Sequence, residues 1–189
     1  GLTLANSGTV VGALWAVIGS SEADRLTNDG TISGATDAGL GDDAVANRGR
    51  MLGDMLLGGG NDVFEGRGGT VTGLIDGGGG DDRIIACHGD DMVTGNSGND
   101  MLRGLGGDDE LSGDTGNDTL NGNGGRDVLR GGAGTDVLSG GNDGDIFVFS
   151  TAAEAGNGSK RDIITDFQSG LDKIDLSGIM AGQTYIAGG

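Results

Sequence analysis

From Gly77 to Val148 the chain divides without a gap into eight blocks of nine residues: GGGGDDRII, ACHGDDMVT, GNSGNDMLR, GLGGDDELS, GDTGNDTLN, GNGGRDVLR, GGAGTDVLS and GGNDGDIFV. The sixth residue of each block is Asp: Asp82, Asp91, Asp100, Asp109, Asp118, Asp127, Asp136 and Asp145. The eighth is apolar: Ile84, Val93, Leu102, Leu111, Leu120, Leu129, Leu138 and Phe147. A fixed short period sustained in register excludes an ordinary globular core and predicts a stack of like units, each burying its apolar side against the next.

Each block reads as a six-residue glycine-rich turn followed by a short strand with one inward apolar side chain. Two blocks close one coil of about eighteen residues, and coils stack by parallel strand pairing. The fold class predicted is all-β, a parallel β-roll or β-solenoid with a C-terminal capping segment.

A longer period precedes the blocks. LANSGTVVG, LTNDGTISG, VANRGRMLG and FEGRGGTVTG begin at Leu4, Leu26, Val45 and Phe64. Asp24, Asp43 and Asp62 end the turns before the last three, and the next such residue is Asp82, giving steps of 19, 19 and 20 residues. These steps are close to one coil, so residues 1–76 are expected to be degenerate solenoid coils in which one turn of the two carries Asp. Residues 77–148, the nonapeptide blocks, are expected to form a regular β-roll. Residues 149–189 concentrate Phe149, Phe167 and Tyr185 and carry the strand-like DIITDF and DKIDL. This last segment is expected to cap the open end of the stack and to be truncated.

Charge narrows the function. The chain has 29 acidic and 11 basic residues, a net charge of −18, so a compact state without counter-ions repels itself. Nucleic acid does not fit, because Arg83, Arg103, Arg126 and Arg130 are scattered. The apolar stretch TVVGALWAVIG is too short to span a bilayer and reads as solenoid wall. Cys87 is the single cysteine, so no internal disulfide forms.

The fitting counter-ion is calcium, which takes six to eight oxygen ligands at about 2.3–2.6 Å from carboxylates and backbone carbonyls. Glycines at positions one, two and four let the turn aim carbonyls at a point, and the position-six Asp adds a carboxylate. Stacking at an eighteen-residue period places the Asp residues in two columns. One holds Asp82, Asp100, Asp118 and Asp136; the other holds Asp91, Asp109, Asp127 and Asp145. Neighbouring rungs stand one strand spacing apart, about 4.8 Å, which an ion with oxygens at about 2.4 Å on either side spans. Six inter-coil sites are expected, with further ones joining Asp43 to Asp62 and Asp62 to Asp82. Magnesium wants a tighter octahedron and zinc wants Cys or His. Without the ion, stacked carboxylates repel by roughly 1 kcal/mol per pair in water, so folding is expected to be coupled to calcium binding. The competing reading, that these are tight turns with Asp serving local hydrogen bonds, does not account for the shared register.

No catalytic constellation is found. A zinc protease needs H-E-x-x-H, and the chain has one histidine, His88. Cys87 and His88 occupy variable turn positions. Trp15 is expected to plug the core, and a threonine ladder of Thr9, Thr31 and Thr70 is broken by Arg50.

These blocks resemble the calcium-binding nonapeptide G-G-x-G-x-D-x-U-x of RTX (repeats-in-toxin) proteins. GGNDGDIFVFS followed by RDIITDFQSGLDKIDLSGI is similar to the C-terminal region of serralysin-type proteases, and to the tails of related lipases and epimerases. The resemblance implies a secreted, extracellular protein exported by type I secretion machinery without an N-terminal signal peptide, and folding on extracellular calcium. It also implies backbone-carbonyl ligands at turn glycines, here Gly78, Gly80, Gly89, Gly95, Gly98, Gly104, Gly107, Gly113, Gly116, Gly122, Gly125, Gly131, Gly134 and Gly140, beside the Asp carboxylates. Two blocks depart from the pattern: Ala86 and Cys87 replace the first glycines of one, and Asp143 replaces the fourth of another, which weakens the sites expected at Asp91 and Asp145. The chain starts inside a repeat and is expected to be part of a larger parent. The alternatives are a structural or adhesin solenoid of a cell-surface protein, or the C-terminal part of a secreted protease, lipase or epimerase.

Overall fold

The fold was obtained as a computed structural model, which describes residues 1–151, 154 and 161–180. The chain winds into a parallel β-solenoid of about 8 turns with about 19 residues per turn. One sheet takes its strands from Thr3–Asn6, Arg25–Asn28, Ala44–Asn47, Val63–Glu65, Arg83–Ile85, Met101–Arg103, Thr119–Gly124, Val137–Asn142 and Ile163–Ile164. The opposite sheet runs from Thr9–Ser20 through Thr31–Gly39, Met55–Gly59, Leu74–Gly79, Met92–Ser97, Glu110–Gly116, Val128–Gly134 and Ile146–Val148 to Lys173–Asp175.

Strand alternation sends one side chain of each short strand inward, and the register stacks them. Leu26, Val45, Phe64, Ile84, Leu102, Leu120 and Leu138 form one buried column. Met55, Ile75, Val93, Leu111, Leu129 and Phe147 form the facing one. A core two side chains thick explains how a glycine-rich chain folds with so few apolar residues.

The coils are of two kinds. From Arg83 to Phe147 the register advances by 18 residues per coil, as in Leu102↔Leu120 and Val93↔Leu111. Before that, the steps lengthen to 20, 19 and, in the first coil, 22, and the added residues build a short extra run of strand. Arg50–Leu52 pairs with the first part of Thr31–Gly39, and Thr70–Val71 pairs with Arg50–Leu52. Ile32, Met51 and Val71 from this run are buried in the same core. It ends where the chain passes from Ile85 to Met92 through residues 86–91.

One expectation is revised. Trp15 does not plug the core: it is 40% exposed on a bulged edge strand, and Val17 is the residue buried there. Residues 163–164 and 173–175, within DIITDF and DKIDL, add the last strand of each sheet. Phe149 is buried, and the Phe147 and Phe167 rings pack 6.2 Å apart. Tyr185 lies outside the described residues.

Candidate metal centres

The position-six carboxylates point into the solenoid at the seam between turn and strand, and each but Asp91 accepts an N–H from the coil below. The backbone N–H of Asp82 donates to Oδ1 of Asp100 at 2.8 Å, that of Asp100 to Asp118 at 2.8 Å, and that of Asp118 to Asp136 at 2.8 Å. The column extends downward through Asp62, Asp43 and Asp24, and upward to Asp162, whose Oδ1 accepts from Asp136 N–H at 2.9 Å. The second column runs Asp91, Asp109, Asp127, Asp145 and then Asp172. Asp162 and Asp172 were missed in the sequence because their spacing from the last blocks is 26 and 27 residues, outside the nonapeptide count.

Oδ1 is thus used by the fold, and Oδ2 is not. Among the described residues, the buried Oδ2 of ten aspartates has no hydrogen-bond partner: Asp43, Asp62, Asp82, Asp100, Asp109, Asp118, Asp127, Asp136, Asp145 and Asp162. A carboxylate oxygen taken from water without a partner is costly. Burial first, and then the carboxylates above and below, push Asp82 and Asp118 up to about 7. Asp109 stands at about 7 for the same reasons, and Asp62, Asp91, Asp127 and Asp162 at about 6. Burial also raises Asp43, Asp100, Asp136 and Asp145. Asp24 is the counter-example. Burial pulls it up, but the N–H groups of Leu2 and Ser20 and the Ser20 hydroxyl outweigh that and hold it low.

What lies in front of each Oδ2 is decided five residues earlier. At Gly77 the place of an absent Cβ is 2.5 Å from Asp82 Oδ2 and 2.9 Å from the carbonyl oxygen of Gly95, one coil on. Gly113 stands in the same way between Asp118 Oδ2 and the Gly131 carbonyl, and Gly104 between Asp109 Oδ2 and the Gly122 carbonyl. At Gly95, Gly122, Gly131 and Gly140 the Oδ2 of Asp100, Asp127, Asp136 and Asp145 also fills the side-chain position. Position-one glycine therefore opens a cradle where a carboxylate and a carbonyl from successive coils face one point. It is required for space, and the expected role for its φ falls instead on positions two and four. Gly98 and Gly116, at position four, have φ of 137° and 144°. Position two takes positive φ even as Asn96, Leu105, Asp114 or Asn123.

The cradle divides the expected sites. At Asp82, Asp109 and Asp118 the carboxylate and the carbonyl face the glycine together, and at Asp100, Asp127, Asp136 and Asp145 the Oδ2 faces it. Asp143 keeps the left-handed turn of its block at φ 70°, and Gly140 still faces Asp145 Oδ2 despite the departure there. Asp91 lacks the glycine: Ala86 holds that place, and Asp91 Oδ2 accepts from Cys87 N–H at 2.8 Å. At Asp43 and Asp62 the place is held by Ala38 and Leu57, both buried. Gly89 has open space where its side chain would be. Burial pushes the Cys87 thiol up to about 12, which makes it unreactive.

Among the described residues no group of three or more His, Cys, Asp or Glu side chains converges. The donor set is carboxylate and carbonyl oxygen, which suits a hard cation and not zinc. A second ladder, on the outside, was unread in the sequence. Position-five side chains accept the next coil's N–H, as in Asn99 N–H to Asp81 Oδ1 at 2.7 Å and Asn117 N–H to Asn99 Oδ1 at 3.0 Å. The recurring Asp-Asp and Asn-Asp pairs were its signal.

The chain matches the family described as peptidase M10 serralysin C terminal over residues 18–187. No curated protein and no solved structure matches it. Among the described residues, no helix is long and apolar enough to cross a membrane.

Proposed function

The chain belongs to the serralysin C-terminal family, the non-catalytic repeat region of a protease, and from that premise we propose that it is a calcium-binding β-roll of a larger secreted protein. Calcium ions bind between coils at the position-six carboxylates, with carbonyls of the turn glycines completing the shells. Five of the six expected sites are favoured, formed by successive Asp82, Asp100, Asp118 and Asp136, and by successive Asp109, Asp127 and Asp145; the sixth, Asp91 with Asp109, is disfavoured because Asp91 Oδ2 already accepts from Cys87 N–H. Extracellular calcium, at affinities of about 10⁻⁴–10⁻³ M, then drives folding after export through type I secretion machinery.

The observation that carries this reading is the set of buried, partnerless Oδ2 atoms aimed at glycine cradles. A bound divalent ion supplies positive charge there and lets the carboxylates stay ionised. Titration calorimetry of calcium into the chain tests it. Asp118→Asn, which removes charge from a rung shared by two sites, is expected to lower the stoichiometry and weaken the remaining binding more than Asp82→Asn. Unchanged heats in both variants would overturn the assignment.

A further inference from the structure

We infer that the coils before Gly60 form a metal-independent base, on which the nonapeptide coils wind when calcium arrives. The inference rests on the calcium reading above and concerns where along the stack that dependence begins.

The two halves share a backbone path but differ at the cradle. In the register of the second sheet, the residues that align with Gly77, Gly95, Gly113 and Gly131 in the early coils are Ala38 and Leu57. Their side chains occupy the cradle with hydrocarbon: Ala38 is 7% exposed and Leu57 is fully buried. What the later coils leave open for an ion, these coils add to the core.

On the other seam the substitution is polar. Gly104, Gly122 and Gly140 align downward, through Ala86 and Gly66, with Asn47, Asn28 and Asn6. These asparagines are buried and form a ladder. Asn6 Nδ2 donates to Asn28 Oδ1 at 2.8 Å, and Asn28 Nδ2 donates to Asn47 Oδ1 at 2.8 Å. Asn47 Nδ2 ends on the Thr70 carbonyl at 3.1 Å. A neutral amide both donates and accepts, so the stack needs no cation. A column of carboxylates only accepts.

The distribution of partnerless carboxylates follows. Of the ten, Asp43 and Asp62 precede Gly77, and the other eight follow it. Asp24, lowest in the column, has both oxygens hydrogen-bonded. The extra strand run adds Ile32, Met51 and Val71 to the early core. In a solenoid each coil is stabilised by its neighbours, so a preformed coil offers unpaired strand edges for the next to pair with.

Hydrogen exchange on the whole chain, in chelator and in saturating calcium, tests this. In chelator, amides of residues 25–28, 44–47 and 55–57 are expected to exchange at least about ten-fold more slowly than those of residues 92–97, 110–116 and 128–134. Calcium is expected to slow the second group. Fast exchange of both groups in chelator, with calcium protecting both together, would overturn the metal-independent base and leave the calcium reading standing. No calcium-induced slowing at residues 92–134 would instead overturn the calcium reading on which the inference rests.

Discussion

On the proposed calcium reading, a coil's capacity to take a metal turns on single residues, above all on whether position one carries a Cβ. Gly113→Ala places a methyl group against Asp118 Oδ2 and the Gly131 carbonyl. It is expected to reduce calcium binding and to lower stability in calcium by about 1–3 kcal/mol, measured by thermal melting. Gly89→Ala meets nothing within 4 Å and is expected to change stability by less than about 0.5 kcal/mol. The raised acidities fix a pH dependence. An aspartate whose pKa stands higher in the folded chain than its unfolded value of about 3.9 binds more protons when folded. The metal-free chain therefore loses stability as pH rises from about 4 through the 7 reached by Asp82, Asp109 and Asp118. Its β-sheet circular dichroism is expected to be stronger at pH 5 than at pH 8. Calcium needs the ionised form, so its affinity is expected to fall as pH drops below about 7.

At the scale of the strand and turn, the nonapeptide was legible because each position has one physical duty, and duty repeats with period. Position eight fills the core and position six faces the seam, so counting by nine found both. The asparagine ladder was less legible, since Asn in a loop-like NSG, NDG or NRG reads first as turn chemistry. Only the register shows Asn6, Asn28 and Asn47 above one another. Asn28→Ala leaves buried partners on Asn6 and Asn47 unmatched and is expected to cost about 1–3 kcal/mol. If the early coils are the metal-independent base inferred above, added calcium is not expected to restore the loss in a denaturant titration. Asp162 escaped for a different reason: an insertion of residues carries it outside the count while strand pairing of Ile163 with Val137 returns it to the column. Trp15 was misjudged because three added residues in its coil relative to the next shift it along a bulge.

Across the whole molecule, the net charge of −18 is arranged so that much of the acidity lies in two internal columns. Among the described residues, Arg48, Arg83, Arg126 and Arg130 bridge coils on the outside, as Arg126 does to Asp108 at 2.7 Å and Arg83 does to Glu65. Exposed pairs of this kind contribute little, and they do not reach the buried Oδ2 atoms. On the proposed calcium reading, the stack therefore depends on a counter-ion that enters the seam. The most direct measurement of that dependence is far-ultraviolet circular dichroism during a calcium titration at pH 8, with magnesium in parallel. The account predicts a cooperative gain of β-sheet signal by millimolar calcium and a much smaller response to magnesium. A spectrum unchanged by calcium, or an equal response to magnesium, would contradict it.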